Sequence, residues 1–433
     1  MSTNYDPLIY FLPKEAIEEL SQSVSQVEKV DSHEDRLALL EGAGSGSEAL
    51  NLIQNGFTDR DNSTLSWDDA TRTLTITPVT PFSFISGGIL YEKIAAESIV
   101  IPAVEGRHFV YYNSAGSLVT TDAFTADLIQ REALVAYIYW DADNSEAILV
   151  GDERHGREMD GATHNYLHST IGAMYESGLA LQNIVADQNG DDAEDAQLAV
   201  QDGVIRDEDI RFSITNGAPQ TLSPIAEIPV FYRLGAGGLW RRSAATLYPV
   251  VNTGTGRAAW NENVAGTWQL TEVDNNDYVL IHFFATTDIF HPVIAIMGQA
   301  EYNSAGAARD AAPAEISQLQ TGQLDALLPE FKAIGTIILQ TGDGKSNAVK
   351  SSIESTDGGG DYIDFRQAGP VPSGASSTPT AVVPESFTVA TLPAAPPAGT
   401  TRIIFVTDET GGPTIAYHNG TNWVRVRDDV VVS

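Results

Sequence analysis

From Thr64 onward the chain alternates apolar and polar residues, the period-two mark of strands with one buried face. Leu65 and Trp67 alternate before the turn Asp68-Asp69-Ala70-Thr71, and Leu74 and Ile76 alternate after it. The pattern predicts a hairpin with both apolar pairs on one face. Phe82 and Phe84 carry it on, and Ser86-Gly87-Gly88 turns it into Ile89-Leu90-Tyr91. Strands over 107–112 and 117–120 flank a turn at 113–116, and strands over 133–140 and 146–150 flank a turn at 141–144. Short strands at this spacing, with no long helix between them, predict an antiparallel sandwich. Residues 161–182 read as partly helical and 183–210 as an acidic bridge. A second β-rich stretch follows, with strands near 211–215, 228–234, 245–251, 257–261, 267–273, 278–286 and 292–298. A loop with a short helix over 306–328, a strand over 335–340 and the segment 358–365 complete it.

The period differs at the N-terminus. Ile17, Leu20, Val24 and Val27 follow a 3-4-3 spacing within a helix expected over 13–41, and Pro13 suits its first position. The narrow stripe fits a coiled-coil oligomerisation seam, and it fits equally an amphipathic helix lying on its own domain. Gly42-Ala43-Gly44-Ser45-Gly46 ends the helix as a hinge. At the other end, 370–384 is rich in Pro, Ser and Thr, has no period, and reads as a linker.

The fold expected is therefore mainly β. An N-terminal helical segment (1–56) precedes two antiparallel sandwich-like domains (57–182 and 183–368), a linker (369–385) and a small C-terminal β module (386–433).

Charge narrows the function classes. The formal net charge is −34 although only 19% of residues are charged, so acid is spread over a surface poor in Lys and Arg. Such a field repels nucleic acid and anionic membranes, and neither is expected as a partner. With no cysteine, disulfides, thiolate metal sites and Cys nucleophiles are excluded. No basic, apolar leader opens the chain, and no stretch approaches the roughly 18 apolar residues of a spanning helix, so neither secretion nor membrane insertion is expected.

Candidate chemistry gathers in residues 151–168, which hold three of the eight histidines. His164 and His168 are four apart, as on a zinc-binding helix, but Asn165 stands where a zinc protease needs its Glu base. His155 and Asp160 are candidate further ligands. The plainer reading is a hydrogen-bonded polar core joining the sheet to the next element. Asp187, Asn189 and Asp191 open like a calcium loop, but glycine stands fourth and Leu198 replaces the closing Glu, so a solvated acidic loop is expected. Asp152, Glu153, Glu158 and Asp160 are the first carboxylates to consider for glycoside hydrolysis, yet no β-helix repeat is present. In the C-terminal module Tyr417, His418, Asn422, Trp423 and Arg425 are candidate glycan or receptor contacts, with Trp423 read equally as the module's large core residue. No cofactor and no enzymatic activity are expected.

The segments 387–393 (FTVATLP), 405–412 (FVTDETGG) and 418–424 (HNGTNWV) resemble the short β module that ends many phage virion proteins. The body resembles phage fibre and virion structural proteins through 63–76 (STLSWDDATRTLTI), 152–156 (DERHG), 163–168 (THNYLH), 298–302 (GQAEY) and 360–365 (GDYIDF). The resemblance spans most of 58–433 and rests on structural phrases rather than catalytic signatures. It implies a noncatalytic homotrimeric tail or head fibre of a tailed bacteriophage. Its partners would be other virion proteins at the attachment end and a host receptor or glycan, with a capsid decoration protein or a polysaccharide-degrading tailspike as alternatives.

Overall fold

The computed structural model describes residues 54–356, 360–369, 386–392, 403–407, 414–418 and 422–425. The helix expected over 13–41, with Ile17, Leu20, Val24 and Val27, and the linker over 370–384 lie outside the described residues. Strand accounts for 45% and helix for 14%, so the chain is mainly β, built from several antiparallel sheets. The described residues fall into two compact units, one up to residue 369 and one from residue 386.

The hairpins form where turn chemistry interrupts the alternation. Ser63–Asp68 pairs with Thr73–Pro78, setting Trp67 opposite Leu74 and Leu65 opposite Ile76. Phe82–Ser86 pairs with Ile89–Lys93. These strands cover one face of a four-stranded sheet ordered Glu146–Asp152, Ala133–Asp141, Gly106–Tyr112, Leu118–Thr121. Ala133–Asp141 is buried along its whole length, because the sheet is covered on both faces. A bulge explains its side-chain pattern. Val110 pairs with Ala136 and Tyr111 with Leu134, which leaves Val135 as the extra residue and reverses the alternation there. Ile138 and Trp140 consequently pack against the hairpins, while Tyr137 and Tyr139 pack on the opposite side.

That opposite side meets a seven-stranded sheet. Its path runs Leu239–Arg242, Val230–Leu234, Val293–Tyr302, Tyr278–Ala285, Lys332–Thr341, Ser351–Glu354, and Ile363–Asp364 also pairs with Lys332–Thr341. Leu149, Tyr137, Phe284, Ile294, Phe331 and Trp240 share one core between the two sheets. Met174–Ser177 also pairs with Gly203–Asp207, across the boundary expected at 182/183. The two expected domains are therefore one body. The facing sides of the two sheets are apolar, and each buries the other.

Residues 183–210 contain strands rather than an acidic bridge alone, since Gly203–Asp207 and Ile210–Ile214 form a tight hairpin. The helix Ala305–Ser317, capped by Ser304, lays Ala308 and Ala312 on Leu280 and Ile338. No helix among the described residues is long and apolar enough to cross a membrane.

In the second unit Ile403–Val406, Thr414–His418 and Trp423–Arg425 pair antiparallel, as the alternation predicts, and Ser386–Phe387 adds a parallel fourth strand that it does not. Trp423 is buried in a small core with Val406 and Ala416, and its ring meets that of His418 edge-on. Its burial fits the core reading of Trp423. Asn422 is exposed, and His418 and Arg425 are half-buried.

Candidate functional site

The strand Glu146–Asp152 continues as an extended segment to His155, and the period of two sorts its side chains. Asp152 and Arg154 point to one side, Glu153 and His155 to the other. On the first side Arg154 holds Asp152 through Nε at 2.8 Å and Nη2 at 2.7 Å. Its Nη1 donates to the Ser63 carbonyl and hydroxyl, both at 2.6 Å, and to the Arg60 carbonyl at 2.9 Å. Arg60 adds a contact to Asp152 at 3.1 Å. Burial alone would raise the Asp152 carboxyl, but the two guanidinium groups hold it below its ordinary range. The fork anchors the segment.

On the other side Glu153 and His155 enter an enclosed cluster. The helix Gly161–Thr170 starts on Asp160, whose carboxylate accepts from the amides of Ala162 and Thr163, each at 3.0 Å. Asp160 is therefore a helix cap, and it takes no part in the histidine cluster. Gly161 sits against the backbone of Gln130, where a Cβ would lie 2.2 Å from its carbonyl oxygen. One turn apart, His164 and His168 both face inward and are buried.

The hairpin turn Glu208-Asp209 completes the group. With Asp207 paired to Ile210, the loop has two residues, and Glu208 takes a positive φ of 40°. A non-glycine residue there stores strain of about 1–3 kcal/mol, and the turn aims Glu208 and Asp209 at the histidines. The 3-10 helix Gly322–Glu330 brings Glu330 to the far side.

The distances fall into two kinds. His155 Nδ1 lies 2.8 Å from Asp209 Oδ1, and the Gly156 amide donates to Asp209 Oδ2 at 2.6 Å; both are hydrogen bonds. His155 Nε2, by contrast, stands 3.4 Å from Glu153 Oε2, 3.6 Å from Glu208 Oε2 and 3.9 Å from Asp207 Oδ2. His164 Nε2 is 3.9 Å from Glu208 Oε2, and its ring centroid is 4.4 Å from that of His155. His168 Nδ1 lies 3.8 Å from Glu208 Oε1 and 3.0 Å from Glu330 Oε1. With the carboxyls ionised, no hydrogen bond satisfies His155 Nε2, His164 Nε2, either oxygen of Asp207 or Glu208, or Glu330 Oε2; a proton on Asp207 or Glu330 pairs those two with each other. Such orphaned atoms are rare in an interior.

Burial governs the protonation of these groups. It pushes Glu153 up to about 7, and together with the neighbouring Asp207 charge it pushes Glu208 up to about 8. Asp207 and Glu330 are raised well above the carboxylate range by burial first and then by nearby acids. Burial also lowers His164 and His168, and the neighbouring histidine charges lower them further. At His155 burial would lower the pKa too, but the hydrogen bond to Asp209 and the surrounding carboxylates carry it well above the ordinary value.

The three sequence-predicted histidines thus come together. Of the sugar-cleaving candidates, Asp152 is tied to Arg154, Glu158 is exposed, and only Glu153 joins the cluster. Asp207, Glu208, Asp209 and Glu330 were not found from sequence. The hairpin signal existed, in Val204 and Ile205 before the acidic turn and Ile210 and Phe212 after it, but the surrounding acid hides it. The acidic segment 187–192 is an exposed loop, as expected, and Asp187 ties it to a distant segment by accepting from the Ser355 amide at 2.8 Å and its hydroxyl at 2.6 Å. A cavity of about 10 Å³ borders His155 and His164, walled by Asn55, Leu128, Ile129 and Leu134. No protein-family model matches the chain, and neither does any curated protein or solved structure.

Proposed function

We propose that the protein is a noncatalytic structural protein of a bacteriophage virion, a trimeric tail or head fibre that contributes to attachment to the host surface. The observation that carries the noncatalytic part is enclosure. The one concentration of buried histidine and carboxylate among the described residues is bordered by a cavity of about 10 Å³, room for about one water and not for a sugar ring or a peptide. The virion assignment rests on the resemblance of the C-terminal module and of the structural phrases in the body.

In this reading the two layered halves of the body act as stiff, sandwich-like spacers. Ile17, Leu20, Val24 and Val27, which lie outside the described residues, are the candidate oligomerisation stripe. The C-terminal module presents His418, Asn422 and Arg425 to a receptor or glycan. Three weak contacts on one trimer then act together, and avidity replaces single-site affinity. Light scattering of the full chain is expected to give about three times the 46.4 kDa of one chain, and labelled protein is expected to bind host cells while leaving surface glycans uncut. A stable 46.4 kDa monomer overturns the trimer, and release of reducing ends from the glycan overturns the noncatalytic reading.

A further inference from the structure

We propose that the enclosed cluster is a two-cation site for divalent first-row transition metals, with the Glu208 carboxylate bridging the pair. Three groups of ligand atoms converge there, each with all its atoms within 4.8 Å of one another: His155, His164 and Glu208; Glu153, His155 and Asp207; and His168, Glu208 and Glu330. The first two share His155 and describe one cation; the third describes its neighbour. Glu208 belongs to both because its two oxygens diverge, Oε2 toward His155 and His164 and Oε1 toward His168.

The separations around His155 Nε2 favour coordination over a hydrogen-bonded polar core, whereas His168 and Glu330 stand at hydrogen-bond distance, 3.0 Å. A tetrahedral ion with bonds of about 2.0–2.2 Å holds its ligand atoms roughly 3.3–3.6 Å apart. The atoms around His155 Nε2 stand at 3.4, 3.6 and 3.9 Å, too long for good hydrogen bonds and close to the edge of a coordination tetrahedron. His155 Nε2, Glu208 Oε2 and Asp207 Oδ2 among these atoms, and His164 Nε2 beside them, lack a hydrogen-bond partner, on side chains that are at least nine-tenths buried. His155 is 3% exposed, His164 5% and Asp207 0%, and the Glu208 side chain is 1% exposed. Unpaired groups at such depth are a large cost unless something satisfies them.

The surroundings are also those of ligands. Asp209 accepts from His155 Nδ1, so once Nε2 gives up its proton its lone pair faces the cluster, the carboxylate–histidine–metal arrangement. The four ligand carboxylates Glu153, Asp207, Glu208 and Glu330 match two divalent cations in charge, and Asp209 stands behind His155 as a fifth, non-ligating carboxylate. Mixed imidazole and carboxylate donors select zinc, manganese or iron(II) over calcium or magnesium, which prefer all-oxygen shells. The enclosure means that the ions enter as the chain folds.

The test is to refold the untagged full chain from denaturant with Zn²⁺ or with a chelator, then to measure native mass and melting temperature. The wild type is expected to gain two zinc ions per chain and to melt higher by on the order of 10 °C. Glu208→Gln keeps the shape and removes the bridging carboxylate. In chelator it is expected to melt at or above the wild type, and in zinc to lose at least one ion and most of the gain. His164→Gln serves as the second variant, expected to keep no more than one ion. Fewer than two zinc ions on the wild type, or equal zinc uptake and equal gain in wild type and both variants, overturns the proposal.

Discussion

Replacing Arg154 by methionine is expected to destabilise the protein by about 3–5 kcal/mol, the usual cost of breaking a buried ion pair from one side. The side chain makes five hydrogen bonds from Nε, Nη1 and Nη2, to Asp152, Ser63 and the Arg60 carbonyl. Methionine fills much of the same volume, so the loss is one of charge and donors rather than of packing. It leaves Asp152 buried with only the half-exposed Arg60 as counter-charge, and it leaves the Ser63 carbonyl without its donor. Arg154→Lys keeps the charge but not the fork, and is expected to fall between the two. Urea unfolding checks this, and a loss below about 1 kcal/mol would show that the fork does not hold the segment.

In chelator, stability is expected to fall as pH rises from 6.5 to 8. Glu153, at about 7 in the fold, and Glu208, at about 8, both exceed their ordinary value of 4.5. Across this window the folded chain holds protons on them that the unfolded chain has already released, so deprotonation draws the equilibrium toward unfolding. His155, raised in the fold, acts in the same direction. His164 and His168 are lowered in the fold and oppose the others, but only below their ordinary value of 6.5, where the unfolded chain would carry their protons. Above that pH the decline is unopposed, with a slope of about 1.4 kcal/mol per pH unit for each proton of difference. In zinc the slope is expected to reverse, because ligands must shed protons to bind the metal. Denaturation midpoints at several pH values check both arms. A flat or rising profile in chelator contradicts the assignment of these carboxylates.

Much of the body is legible from residues alone, because each hairpin carries two signals that agree. Around Asp68-Asp69-Ala70-Thr71 and 141–144, apolar alternation stops where turn residues begin, and the observed pairs follow. The merging of the two expected domains was not legible. Ala133–Asp141 is apolar at every position but the last, which marks a strand covered on both faces, but the bulge at Val135 and the identity of the sheet that buries Tyr137 and Tyr139 are tertiary facts. The site divides in the same way. His164 and His168 announce a shared helix face by their spacing, and Glu153 and His155 share a side by period two. Their carboxylate partners arrive from a hairpin turn and a 3-10 helix end far along the chain. With 58 acidic residues in the sequence, nothing local separates Glu208 or Glu330 from solvated acid. Asp160 shows the reverse error: its position before a helix is a capping signal, and proximity to the histidines suggested a ligand instead.

Anomalous diffraction above and below the zinc edge, on crystals of the zinc-refolded chain, tests the account most directly. It is expected to give two peaks. One should lie about 2.0–2.2 Å from His155 Nε2, His164 Nε2 and Glu208 Oε2, and the other at the same range from His168 Nδ1, Glu208 Oε1 and Glu330. An ordered cluster with no anomalous peak, its carboxyl groups paired through shared protons, would contradict it.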